Sequence, residues 1–160
     1  MSVEIERKFL VVDDTFKEEA FKAVHVIQGY LSSATGRTVR VRAMDDKGYI
    51  TVKGKSNDAG TSRFEWEKEI SIDDVHDLLQ LCEPGIVDKT RYLVRAGDYV
   101  YEVDEFYGDN EGLTVAEIEL LDENASFVRP SWLGEEVTGD RRYYNSCLIK
   151  NPYKNWKNRV

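Results

Sequence analysis

The sequence predicts a mainly β, α+β chain: a closed eight-stranded antiparallel β-barrel or tunnel with a few peripheral helices. Three observations predict it. Apolar and polar residues alternate with period two along most of the chain, the pattern of strands whose two faces meet different surroundings. The links between these segments are short and rich in turn residues, which favours hairpins over crossovers. Helical periodicity is confined to brief stretches. No repeat, linker or low-complexity tract interrupts the chain, so residues 1–160 read as one domain.

Each element has its own signature. Val3 to Val12 alternates as a first strand, and a short helical stretch around Asp14 to Phe21 follows, with Asp13 or Asp14 as its N-cap. Val24 to Leu31 is a second strand. Gly36 to Ala43 and Gly48 to Lys55 flank Asp45-Asp46-Lys47-Gly48, a hairpin turn by composition. Ser62 to Ser71 is a fifth strand. The period then changes, with Ile72, Val75, Leu78, Leu79 and Leu81 on one helical face and Pro84-Gly85 as the stop. Ile86 to Ala96, Tyr99 to Phe106 and Leu113 to Leu121 complete the strands, the first two joined by Gly97-Asp98. The tail is irregular around Arg129 to Trp132, then helical from about Asp140 to Lys150.

Composition excludes several classes. With 22 Lys+Arg against 30 Asp+Glu the net charge is −8, which disfavours a general nucleic-acid coat or an anionic-membrane binder. Two cysteines far apart, Cys82 and Cys147, fit reduced thiols rather than a disulfide scaffold. Met1 to Lys8 carries acids where a signal peptide has an apolar run, and no apolar stretch approaches a membrane span. A cytoplasmic protein without membrane attachment is expected.

The alternation also sorts charges. Glu4, Glu6 and Lys8 share one strand face. So do Arg40 and Arg42, Lys53 and Lys55, Glu65, Glu67 and Glu69, Lys89 and Arg91, Glu102 and Asp104, and Glu117 and Glu119. A single such segment reads as the solvated face of an amphipathic sheet. The same pattern on seven strands, nearly all ionised and segregated by sign, reads differently. In a closed barrel, alternate residues point into one interior. Unpaired buried charge is too costly for a dry core, so that interior would hold water and a charged ligand. Arg40, Arg42, Lys53, Lys89 and Arg91 offer donors for phosphate or carboxylate oxygens. Glu4, Glu6, Glu117 and Glu119 offer hard oxygens suited to Mg²⁺ or Mn²⁺. Both sets together point to a metal–polyphosphate complex.

Here the residues meet a known pattern. Glu4-Ile5-Glu6-Arg7-Lys8 resembles the N-terminal ExExK signature of the CYTH superfamily, the triphosphate tunnel metalloenzymes, and the later VRVR, TVKGK, EWEKEI, KTRY, YEVDEF and AEIEL segments follow in order. The resemblance extends from Glu4 to the C-terminal helix and is nearest to short bacterial members. It implies an eight-stranded tunnel and divalent-metal-dependent chemistry on a small-molecule triphosphate. It further implies Glu4, Glu6 and Glu119 as metal ligands. Glu117, Asp104 and one of Glu65, Glu67 or Glu69 would serve a second metal or orient the attacking water. Lys8, Arg40, Arg42, Lys53, Lys89 and Arg91 would bind phosphate. Tyr30 resembles the tyrosine that pairs with the signature lysine in the thiamine triphosphatase branch; a packing role is the alternative.

Hydrolysis of a terminal phosphoanhydride is the leading expectation, with inorganic tripolyphosphate favoured. A class IV-type adenylate cyclase and a non-catalytic polyphosphate-binding module are its rivals. Lys55 has a weaker claim than Lys53, because Gly54 and Ser56-Asn57-Asp58 suggest a strand end. Arg141 and Arg142 either cap a tunnel mouth or begin a solvated helix. His25, His76 and both cysteines are expected outside the chemistry, and Trp66 and Trp132 in packing.

Overall fold

A computed structural model describes residues 2–156. The strands are β1 (Ser2–Val11), β2 (Lys22–Ser32), β3 (Arg37–Met44), β4 (Lys47–Gly54), β5 (Ser62–Ile70), β6 (Val87–Ala96), β7 (Tyr99–Phe106), β8 (Thr114–Glu119) and β9 (Leu133–Glu136). The helices are α1 (Phe16–Glu19), α2 (Ile72–Leu79) and α3 (Asn145–Leu148). The sheet runs β5-β4-β3-β2-β6-β7-β8-β1, every pair antiparallel, and β1 pairs back with β5 to close the barrel.

Closure depends on a division of labour along β1. Its first half bonds β5 on one edge, from Ser2↔Glu65 to Ile5↔Ser62. On that same edge its second half meets β9, at Phe9↔Glu136 and Val11↔Leu133. This ninth strand lies in a tail expected to be irregular. Gly134 permits it, since a Cβ there would stand 3.0 Å from the Leu10 carbonyl oxygen. Pairing covers an edge that the short β1–β5 register would otherwise leave open.

Two further expectations are corrected. The N-cap of α1 is Thr15; Asp13 instead accepts from the Thr15 N–H at 3.0 Å and its hydroxyl at 2.6 Å, forming the turn ahead of the helix. The long C-terminal helix is absent in favour of a 3-10 turn (Arg141–Tyr143) and the four-residue α3. Tyr144 between them is extended, at φ −70° and ψ 132°, and this break lets consecutive residues reach into the barrel.

Apolar residues pack mostly outside or beyond the tunnel. Phe9, Val94, Tyr101, Val103, Ala116 and Ile118 form the outer face of β1 and β6–β8, where Phe16 and Trp132 cover them. Trp132 is the packing residue expected, whereas Trp66 is 48% exposed on the outer wall. On the opposite wall α2 lies against β2–β4. Ser71 caps it by accepting from the Asp74 N–H, and Gly48 admits Val75, whose Cγ2 would lie 2.5 Å from an added Cβ. A second cluster packs the tail against the barrel: Val87, Phe106 and Val115 meet Tyr143, Leu148 and Trp156. No described helix is long and apolar enough to cross a membrane.

Candidate active site in the tunnel

Residues paired across antiparallel strands share a face. The register therefore aligns Glu6 with Glu119, Lys8 with Glu117, Glu102 with Glu117, Arg91 with Asp104, Lys53 with Glu65, and Tyr30 with Arg40. These side chains line a tunnel with two wide ends and a constriction. One end, about 180 Å³, is bordered by Glu4, Glu65, Glu67, Glu102, Glu117 and Glu119, with Arg40, Arg42, Lys53 and Arg91 among them. The constriction, about 30 Å³, is ringed by Glu6, Lys8, Tyr30, Arg40, Lys89 and Arg91, and by Tyr144, Asn145 and Ser146 of the tail. The far end is lined mainly by hydroxyl and glycine residues together with Lys55, Arg63 and Arg141.

In the deep section the ion pairs are tight. Arg91 grips Asp104 with two hydrogen bonds, Nε to Oδ1 at 2.8 Å and Nη2 to Oδ2 at 3.0 Å. Lys89 Nζ meets Asp104 Oδ2 at 2.8 Å. Burial opposes ionisation of Asp104, but these two bases outweigh it and hold its carboxyl at about 2. Burial also depresses the Lys89 ammonium, to about 8, with Arg91 adding repulsion. The resemblance implied a metal or water role for Asp104. In the structure its oxygens meet two bases, with the side chain 3% exposed.

Toward the acidic end all the pairs but the buried Lys53–Glu4 pair are looser. Lys53 Nζ reaches Glu4 at 2.9 Å and Glu65 at 3.4 Å, Arg42 reaches Glu67 at 3.2 Å, and Arg91 Nη1 reaches Glu102 at 3.2 Å. Burial raises the Glu6 carboxyl to about 8, reinforced by repulsion from Glu117 and Glu4. Burial would raise Glu117 too, but Lys8, a hydrogen bond from Glu6 and the nearby Arg91 and Lys89 hold it well below the usual range. Burial and Glu4 raise Glu65 to about 6. Glu6 and, less strongly, Glu65 thus hold their protons more tightly than ordinary carboxylates, while Lys53 keeps Glu4 below the usual range against its burial. Among the described residues no three acids already stand at ligating spacing.

The bases are crowded as well. Burial, then Arg40 and Arg91, lower the Arg42 guanidinium to about 10, which leaves it charged at neutral pH. The Nε–H groups of Arg40 and Arg42 are buried with no partner among the described residues. A region in which acids need a cation and bases need an anion is complementary to a metal–polyanion pair.

The CYTH domain family matches residues 2–144. The chain belongs to this family. It is 52% identical to an inorganic triphosphatase of Acetivibrio thermocellus over 158 residues, covering 98% of this chain and 99% of the relative. It is 39% identical to an inorganic triphosphatase of Nitrosomonas europaea, covering 91% and 95%. A crystal structure of an inorganic triphosphatase aligns with a TM-score of 0.65 at 35% identity, covering 91% of this chain and 97% of the other.

Other residues take definite places. Lys8 Nζ lies 3.5 Å from Glu117 and 4.9 Å from the centre of the Tyr144 ring, while Tyr30 is buried on the same constriction. Lys55 lies beyond the end of β4 at the far mouth, and Glu69 is exposed. Arg141 donates to Thr35 Oγ1 at 2.7 Å at that mouth, whereas Arg142 turns outward onto Asp140. His25 pairs with Asp88 at the surface, His76 is exposed on α2, and both cysteines are free. Sequence reading missed Arg63, Gln28, Tyr144 and Asn145. For Arg63 the signal was present, since it sits two residues before Glu65 on the same face and 3.8 Å from Glu4.

Proposed function

We propose that the tunnel hydrolyses the terminal phosphoanhydride of a triphosphate with a divalent metal, Mg²⁺ or Mn²⁺, and that inorganic tripolyphosphate is the favoured substrate. The observation that carries this reading is the juxtaposition of crowded carboxylates with crowded bases that have unpaired buried donors, all in one lining. The naming of two relatives as inorganic triphosphatases, at 52% and 39% identity, supports it.

Glu4, Glu6 and Glu119 would hold the metal, with Glu117 beside them; their hard oxygens suit such an ion, and their crowding is relieved by one. When bound, the ion supplies charge withdrawal from phosphoryl oxygens. The remaining work falls to the chain's own residues. Arg40, Arg42 and Lys53 exchange their carboxylate partners for phosphoryl oxygens, Arg91 gives up Glu102 while keeping Asp104, and together they offset the charge that grows on the departing diphosphate. Lys8 and Lys89 bind at the constriction, where Tyr30 fixes the chain end by packing and its hydroxyl. Glu65 and Glu67, on the rim of the acidic end, orient the attacking water. Asp104 anchors Arg91 and Lys89. The cysteine usage fits a cytoplasmic setting.

The test is to incubate the protein with Mg²⁺ or Mn²⁺ and tripolyphosphate, ATP, thiamine triphosphate or pyrophosphate, resolving every product. Phosphate and pyrophosphate from tripolyphosphate, lost in Glu6→Gln, is the expected result. Cyclic AMP with pyrophosphate from ATP would move the chain to cyclase chemistry, and metal-dependent binding without turnover would reduce it to a binding module.

A further inference from the structure

Lys89 is the most deeply buried cation of the lining, with a side chain 1% exposed. An ammonium has three N–H donors. Asp104 Oδ2 takes one at 2.8 Å, and Asn145 Oδ1 takes another at 2.9 Å. The centre of the Phe106 ring lies 5.4 Å from the nitrogen. One N–H then remains for the constriction, which Lys89 and Asn145 both line. Asn145 comes from the tail, far from Lys89 in sequence, and it is held in turn. Gln28 Nε2 donates to the same Asn145 oxygen at 3.1 Å. Gln28 is fully buried and its own Oε1 has no partner among the described residues. Leaving a buried acceptor unpaired is costly, so this amide orientation is maintained by what its N–H does.

We propose that Asn145, braced by Gln28, is a positioning residue: it fixes the Lys89 ammonium so that its one remaining N–H points at a phosphoryl oxygen in the constriction. Asp104 alone would leave the ammonium free to rotate about a single ion pair. The extended backbone at Tyr144 is what delivers Asn145 to this place, so the tail completes the phosphate site as well as packing against the barrel. The inference rests on the tunnel being the triphosphate site.

A double-mutant cycle tests it with four proteins: wild type, Asn145→Ala, Lys89→Ala and the double variant. Each is measured for tripolyphosphate turnover and for binding of a non-hydrolysable imido analogue of tripolyphosphate. Asn145→Ala is expected to lower kcat about tenfold with a smaller change in KM, because misplacing a charged group is felt most in the transition state. In the Lys89→Ala background the same substitution is expected to change neither turnover nor binding by more than about twofold, as coupled residues do. Asn145→Asp, which keeps the acceptor oxygen and the size, is expected to preserve kcat within about threefold and to raise KM through its added charge. A full-sized Asn145 effect without Lys89, or equal loss of kcat in the Ala and Asp variants, would overturn the proposal. Wild type that binds the analogue without turning over tripolyphosphate would overturn the hydrolase reading alone, and the cycle would then be read in binding.

Discussion

Two sets of ion pairs line one tunnel, and they are built for different ends. In the deep set, Asp104 meets Arg91 and Lys89 at 2.8 Å with side chains no more than 7% exposed, and neither oxygen of the acid is spare. At the acidic end, Glu67 meets Arg42 at 3.2 Å with its side chain 31% exposed, and Glu102 meets Arg91 at 3.2 Å with 40% exposed. The first set is fixed and holds bases in place. The second is exchangeable, because its partners can be drawn apart by a polyanion on one side and a cation on the other. Buried charge is kept only where it is fully satisfied, and half-satisfied charge marks where a ligand belongs.

The sharpest way to break the comparison is Asp104→Ala. It leaves the buried Lys89 without its ion pair and Arg91 with Glu102 alone, and a loss of about 3–5 kcal/mol in unfolding free energy is expected by chemical denaturation. Glu6→Gln should behave in the opposite manner. Turnover is expected to fall at least about a hundredfold, near 3 kcal/mol in the barrier. Thermal stability should hold, because Gln is neutral like the protonated Glu6 and can donate the same hydrogen bond to Glu117. A parallel loss of stability in Glu6→Gln would erase the distinction between the two sets.

Acid titration sharpens it further. The Asp104 carboxyl titrates at about 2, below its unfolded value of 3.8. The fixed set therefore stabilises the fold fully above that unfolded value and loses its contribution as pH falls through the folded one. About 2 kcal/mol should disappear between roughly pH 4 and pH 2. Melting wild type and Asp104→Asn at pH 5 and pH 2.5 checks this: the gap between them should shrink at the lower pH. The smallest effect is expected for Glu67→Gln, less than about 1 kcal/mol in stability, since an exposed pair contributes little.

Much of this was legible in the chain because period-two alternation decides what faces inward. Once Glu4, Glu6 and Lys8 share a face, closure of the sheet puts them in the tunnel with Arg40, Lys53 and Glu117. What stayed hidden depended on contacts between distant segments. Leu133-Gly134-Glu135-Glu136 lacks strand character and pairs only because β1 leaves an edge open beside it. Asn145 lies in a stretch that reads as helix, and only the break at Tyr144 sends it inward. Alternation placed Asp104 on the inward face, because a strand face shows which way a carboxylate points, but not that Arg91 and Lys89 both hold it. Trp66 was misread for a related reason: its strand is apolar outward, but none of the described helices buries it, and it stays 48% exposed.

The most direct test of exchangeable pairing is calorimetric binding of the imido analogue of tripolyphosphate with and without Mg²⁺, corrected for the metal–ligand complex formed in solution. If each ligand releases the groups the other needs, each must raise the other's affinity, and a coupling of tenfold or more is expected. Equal affinity at all Mg²⁺ concentrations would contradict the account.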